Sequence, residues 1–257
     1  MSTAVVVALI SAGVAVCSAA VSASATARAI RLQHALTGRD LVRRHREPLL
    51  LAAFDLQARI CNIVQDDFVR RHMAGADPEE QQYARVSTLY RVGDYFGWTE
   101  ILRRGLQFLD LGDDRKTREL SQILALVSRT FSDTRRYPAG VFRLFRDEQR
   151  ALGEIMLEPV EGEPRHYQCI GYATFAVRLE ADPEFSRWFQ RLSNEAAMLA
   201  HPAPGQLDRL IGVQHALVNI IDFLDPDGVR FPREHLIRLP LPPDATLIPE
   251  PQPPATG

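Results

Sequence analysis

Leu207-Asp208-Arg209-Leu210-Ile211-Gly212-Val213-Gln214-His215-Ala216-Leu217-Val218-Asn219-Ile220-Ile221-Asp222-Phe223-Leu224 is the stretch whose reading decides the fold class. Apolar residues recur along it at three- and four-residue steps, which turns Leu210, Ile211, Ala216, Leu217, Ile220, Ile221 and Leu224 to the inside of one helix. The same geometry gathers polar residues: His215, Asn219 and Asp222 stand at i, i+4 and i+7 and share a face. That face can present a polar cluster to a pocket or a metal, or it can be a hydrogen-bonded structural surface.

Upstream, Asp182-Pro183 opens another helix holding Phe185, Trp188, Phe189 and Leu192, with Pro183 at its first position. Tyr167 to Leu179 suits strand or helix and is read as helix; Pro159 to Pro164 is read as a loop. Phe142, Phe145, Leu152, Ile155 and Met156 keep a helical period to about Leu157. A helix from Arg115 to Phe131 turns Leu120, Ile123, Leu124 and Val127 inward, with Asp113-Asp114 at its start. Another runs from Pro78 to about Leu111, with Tyr83, Val86, Tyr90, Tyr95, Trp98, Ile101, Leu102, Leu106 and Leu109 on its apolar side. Gly93, Gly97 and Gly105 interrupt it, which points to a close crossing or a kink. Pro48 to about Met73 carries the stripe Leu51, Phe54, Ala58, Cys61, Val64 and Phe68, expected to face the core, and Gly75-Ala76-Asp77-Pro78 separates it from the next helix. The expected fold is all-α, a bundle of about six helices behind one N-terminal transmembrane helix.

Four regions follow: residues 1–27 as anchor, 28–47 as a basic membrane-proximal helix, 48–238 as the helical globular domain, and 239–257 as a proline-rich disordered tail. Ala4 to Ala27 carries no charge, and at about 1.5 Å per residue it can cross about 30 Å of hydrocarbon. Its serines dilute it. A cleaved signal peptide is the rival reading, with Ala23-Ser24-Ala25 and Ala25-Thr26-Ala27 as cleavage-like triplets, but no Lys or Arg precedes the apolar run. Arg28, Arg31, Arg39, Arg43, Arg44 and Arg46 follow it, which by the positive-inside rule puts the bulk of the chain in the cytoplasm. The expected location is therefore the bacterial inner membrane, single-pass. Ser11, Ala15, Ala19, Ala23 and Ala27 also form a small-residue stripe where a second anchor helix can approach.

The apolar fraction of 46% and charged fraction of 24% place the bulk of the chain among folded proteins, and a net charge of −2 gives no drive toward nucleic acid. Basic residues are almost all arginine; Lys116 stands alone, at an exposed helix start ill-suited to Schiff-base chemistry. Cys17, Cys61 and Cys169 are widely spaced, without a CxxC pair, so neither a zinc site nor a disulfide framework is expected. No Gly-x-Ser-x-Gly, Walker A, Gly-x-Gly-x-x-Gly or His-Glu-x-x-His motif occurs, and the lone Glu-x-x-His, Glu163 to His166, spans Pro164. Neither metal nor cofactor is expected.

The stretches Phe96-Gly97-Trp98-Thr99-Glu100-Ile101-Leu102-Arg103-Arg104, Gln107-Phe108-Leu109-Asp110-Leu111-Gly112 and Gln214 to Leu224 resemble an uncharacterised bacterial group of short-anchored helical proteins. The likeness spans about residues 45 to 232 and implies architecture and anchoring; it carries no activity.

Two sets of candidate residues emerge. His215, Asn219 and Asp222 form one; Arg91, Tyr95, Trp98, Glu100, Arg103 and Arg104 form the other, because Trp and Tyr beside Arg suit interfaces and planar ligands. Glu100 with Arg103 and Arg104 is also the spacing of intrahelical ion pairs. The leading expectation is a membrane-tethered cytoplasmic interaction or scaffold module, its partner an unidentified protein or a second copy of itself. The alternatives are a membrane-bound enzyme or ligand sensor with a pocket among the Trp98 and His215 helices, and an anchor-driven oligomer. The missing motifs lean against an enzyme.

Overall fold

A computed structural model describes residues 45–66, 68–73, 77–107 and 115–241, together with Ser22, Thr26 and Arg28. Nearly all of the anchor and of the basic membrane-proximal helix, Gly75-Ala76, Asp113-Asp114 and residues 242–257 of the proline-rich tail lie outside the described residues. Among the described residues the chain is mostly helical, as an all-α reading requires, and no helix is long and apolar enough to cross a membrane.

α1 occupies residues 45–64 and α2 is a short helix, Phe68–Met73. The core-facing side of α1 is Leu49, Ala53, Leu56, Ile60 and Ile63. This corrects the expected stripe: Leu51 is exposed, and Phe54, Cys61, Val64 and Phe68 are only half-buried at the edge of the core. α1 is apolar over more than half its circumference, so periodicity alone does not fix its rotation. Two partners fix it. Arg91 of the next helix pairs with Asp55 at 2.5 Å, and Gln57 accepts from Gln214 at 3.2 Å on the opposite side.

α3 (Pro78–Gln107) is the long central helix. Val86, Leu89, Val92, Tyr95, Phe96, Ile101 and Leu102 are buried, whereas Tyr83 is exposed. α4 (Arg115–Ser132) buries Leu120, Leu126 and Val127. α5 (Arg146–Ile155) is shorter than its apolar pattern suggests. Phe142 and Phe145 belong to the connection before it, and Phe142 is buried at φ 59°, its N–H donated to the Glu195 carboxylate.

Next comes a hairpin where a loop and a helix were expected. β1 (Leu157–Val160) pairs antiparallel with β2 (Glu163–Cys169), with Leu157 opposite Cys169 and an irregularity at Pro159/Val160. Glu161-Gly162 makes the turn, and Gly162 has the positive φ of 78° that glycine tolerates best. The hairpin is too short to show a clear two-residue alternation, and it is held by packing on α3. Helix resumes only after Gly171, as α6 (Tyr172–Ala181). α7 (Pro183–Met198) starts where the sequence put it: the Asp182 side chain accepts from the N–H groups of Glu184 and Phe185, both at 3.0 Å. Phe175, Phe185 and Phe189 pack edge-to-face or tilted within the core, each worth roughly 1.5–3 kcal/mol of burial.

α8 (Asp208–Leu224) is buried nearly all round, lying against α4 and α1. Gly212 permits this closeness, since a Cβ there would collide with the Tyr137 hydroxyl. After α8 the Asp225 carboxylate gathers the N–H groups of Val229, Arg230 and Phe231, and Phe231 stacks flat on Phe54 of α1. A 3-10 turn (Arg233–His235) leads to Leu239, which is buried against α8 although the sequence assigned it to the tail.

Candidate functional site

α5 crosses α3 tightly because residue 153 is glycine: a Cβ there would lie 2.7 Å from the Phe96 carbonyl oxygen and 2.8 Å from Glu100 Cβ. α4 packs chiefly on α8 and only lightly on α5. On the face it turns to α3 and α5, Ser121, Ala125 and Ser128 stand at i, i+4 and i+7, side chains too small to fill the gap. The result is an open cleft of about 440 Å³ between α3 and α4, floored by α5. Tyr95, Phe96 and Thr99 line it from α3, Leu124 and Ala125 from α4, and Gln149 from α5. Gln149 is fixed by donating to the carbonyls of Ser128 and Leu144.

Charge at this cleft is one-sided. Glu100, 3% exposed, receives Arg103 Nε and Nη2 at 2.6 Å each and Arg104 Nε at 2.7 Å. Burial alone would raise its carboxyl pKa, but the hydrogen bonds from Arg103 and then Arg104 outweigh burial and hold it below its ordinary value. The Glu100 hydrogen bond in turn raises Arg103. Arg146 and Arg150, one helical turn apart on α5, complete the rim. Among the described residues neither side chain has a hydrogen-bond or ion-pair partner.

No family model, curated protein or solved structure matches the chain. The site is therefore read from its own chemistry.

Tyr95, Glu100 and Arg103 meet at the cleft, with Arg104 beside them. Burial pushes the Tyr95 phenol well up. Arg91 and Trp98 turn the other way, toward α1, around Asp94. Burial and then the neighbouring Asp55 push the Asp94 carboxyl up to about 6, against the opposing hydrogen bonds of Trp98 and Cys169 and the charge of Arg91. Burial likewise raises the Cys169 thiol strongly, so it is no ready nucleophile.

His215, Asn219 and Asp222 do share a face of α8, as their spacing requires, but the C-terminal segment closes it. His215 Nε2 donates to the Leu239 carbonyl at 2.8 Å; Arg238 donates to the His215 carbonyl at 3.1 Å, Asn219 Oδ1 at 2.7 Å and Asp222 Oδ2 at 3.2 Å, and Arg233 also pairs with Asp222. Burial lowers the His215 pKa. A smaller polar recess of about 340 Å³ remains between Asn219, Asp222 and Arg238 on one side and Glu119 and Gln122 of α4 on the other. Among the described residues no group of three or more His, Cys, Asp or Glu side chains converges to hold a metal.

Sequence reasoning missed the cleft residues Ser121, Ser128, Arg146, Gln149 and Arg150. The small residues at a four-then-three step in α4 and the i, i+4 arginines were the signals available. It also missed Arg209, 1% exposed, whose guanidinium donates to the carbonyls of Phe131 at 2.6 Å and Tyr137 at 2.7 Å, with Gly140 at 3.4 Å. This is a structural staple for the loop between α4 and α5, and burial lowers its pKa to about 10.

Proposed function

We propose that this protein is a binding module, tethered to the bacterial inner membrane by residues 1–27, that presents the α3–α4–α5 cleft on the cytoplasmic side. The observation that carries the reading is the cleft itself: an opening with apolar walls and an arginine rim. Its volume falls in the roughly 300–1,000 Å³ range of small-molecule sites. Catalysis is less well supported. Ser121 and Ser128 supply hydroxyls, but neither His nor Lys lines the cleft to activate them, and Glu100 is held ionised by two arginines. The uncharged run Ala4 to Ala27 and the arginines after it support the tether and its orientation.

The test has two parts. Full-length protein is expected in a carbonate-resistant membrane fraction, its helical domain digestible only from the cytoplasmic side; a soluble mature protein beginning near Thr26 or Arg28 would overturn tether and orientation together. Native mass spectrometry of the protein released from membranes is expected to show a small-molecule adduct that disappears when Ala125→Phe fills the cleft. Absence of any adduct on the unmodified chain would remove the binding reading.

A further inference from the structure

We infer that the cleft takes a single-chain anionic amphiphile, an acyl or alkyl chain ending in a carboxylate or phosphate; the inference rests on the binding-module reading above and names its ligand class. Three observations lead there. Phe96, Leu124 and Ala125 make apolar walls, and of the polar side chains beside them Thr99 and Gln149 already donate to backbone carbonyls. The volume of about 440 Å³ suits one chain rather than the apolar face of a helix, which needs a longer groove.

Charge at the rim then chooses the head. The lining holds Arg103, Arg146 and Arg150 against Glu100, so it is net positive before a ligand arrives, while Arg104 beside it is shared between Glu100 and Glu154. Arg146 and Arg150 stand one turn apart on α5 and, among the described residues, meet no carboxylate. The engaged acids on their helix are Glu148, taken by Arg191 and by the Phe145 N–H, and Glu154, 3.6 Å from Arg104. Two neighbouring guanidinium groups match the oxygens of a carboxylate or phosphate, which they bind through forked, charge-assisted hydrogen bonds. A cationic head would be repelled, and a neutral one would leave both arginines without a counter-charge.

The test uses the full chain in nanodiscs of zwitterionic phosphatidylcholine and photoactivatable C14 probes that differ only in the head: carboxylate, phosphate, alcohol and trimethylammonium. Crosslinks from both anionic probes are expected within residues 95–103 and 121–128, competed by unlabelled anion and weakened by salt. The double variant Arg146→Glu/Arg150→Glu is expected to reduce anion labelling tenfold or more while leaving any weak alcohol labelling in place. Arg146→Gln/Arg150→Gln gives a milder loss in the same direction should charge reversal disturb the fold. Preference for phosphate over carboxylate would indicate a phospholipid-derived ligand, the reverse a free fatty acid, and both support the inference. Equal labelling by the alcohol or ammonium probe, or labelling indifferent to both double variants, would overturn the anionic class while the native adduct still reported a binding site. Displacement by an acidic amphipathic peptide, with no labelling of the cleft by any lipid probe, would overturn it in favour of a protein ligand.

Discussion

α8 and α3 carry every polar residue the sequence singled out, and the fold encloses one and leaves the other half open. On α8 each such group is engaged by a distant piece of chain, His215 by Leu239 and Asn219 and Asp222 by Arg238, as are two that the sequence did not single out, Arg209 by the loop after α4 and Gln214 by α1 and residue Ile237. On α3 the polar groups are engaged mostly within the helix, Glu100 with Arg103 and Arg104 one turn on. Local pairing leaves the flank of the helix uncovered, and a cleft forms there. A polar face met by a remote segment becomes structure; one satisfied by its own helix stays available for a ligand.

The largest expected effect tests the closed side. Arg209→Ala removes the donor for the carbonyls of Phe131 and Tyr137, and buried groups left unpaired cost about 1–3 kcal/mol each, so a loss of about 3 kcal/mol or more is expected in chemical denaturation. A loss under about 1 kcal/mol would mean that α8 does not depend on its long-range partners.

A smaller effect tests α3. The Asp94 carboxyl is raised to about 6 in the folded chain, above its ordinary value, so the folded state binds the proton more tightly than the unfolded one. The stability it contributes is fully present below the unfolded value, near pH 4, and is lost as pH rises through about 6. Asp94→Asn is expected to flatten this dependence, on the order of 2 kcal/mol, while still accepting from Trp98. Urea midpoints measured from pH 4 to 7 check it; an unchanged slope would show that Asp94 carries its charge at no penalty.

The smallest effect sharpens the contrast. Arg238 and Asp222 are both partly exposed, so screening limits their pairing to less than about 1 kcal/mol, and Arg238→Ala is expected to lower the melting temperature by only a few degrees. Hydrogen exchange at Leu239 should nevertheless quicken, because the segment that closes α8 loses an anchor.

Much of the helical order was legible in the sequence: α8 and α4 nearly to the residue, and the start of α7 from Asp182-Pro183. These elements are set by local signals, a 3.6-residue period and a cap. What was not legible depends on separation along the chain. The carbonyls that hold Arg209 lie 78 and 72 residues upstream, and Arg238 closes on residues 16 to 23 positions before it. The hairpin has too few residues to show an alternation, and the rotation of α1 was decided by Asp55 and Gln57, polar residues outside the apolar stripe. The cleft follows from how far α4 stands from α5, a distance no single helix encodes. Of the close crossing or kink read from Gly93, Gly97 and Gly105, a close approach is seen at the first two: a Cβ at Gly93 would lie 3.0 Å from Met156 Sδ, and one at Gly97 would meet Cys169 Sγ.

Arg46, at the start of α1, donates to the carbonyl of Leu224, the last residue of α8, across a sequence separation of 178. During synthesis, therefore, the part of α1 that meets α8 waits for its partner until α8 has left the ribosome. Closure of such a long loop is slow relative to local helix formation, and the exposed interval favours aggregation. The vulnerable interval is thus set by the distance along the chain between α1 and α8, and it ends once α8 is in place.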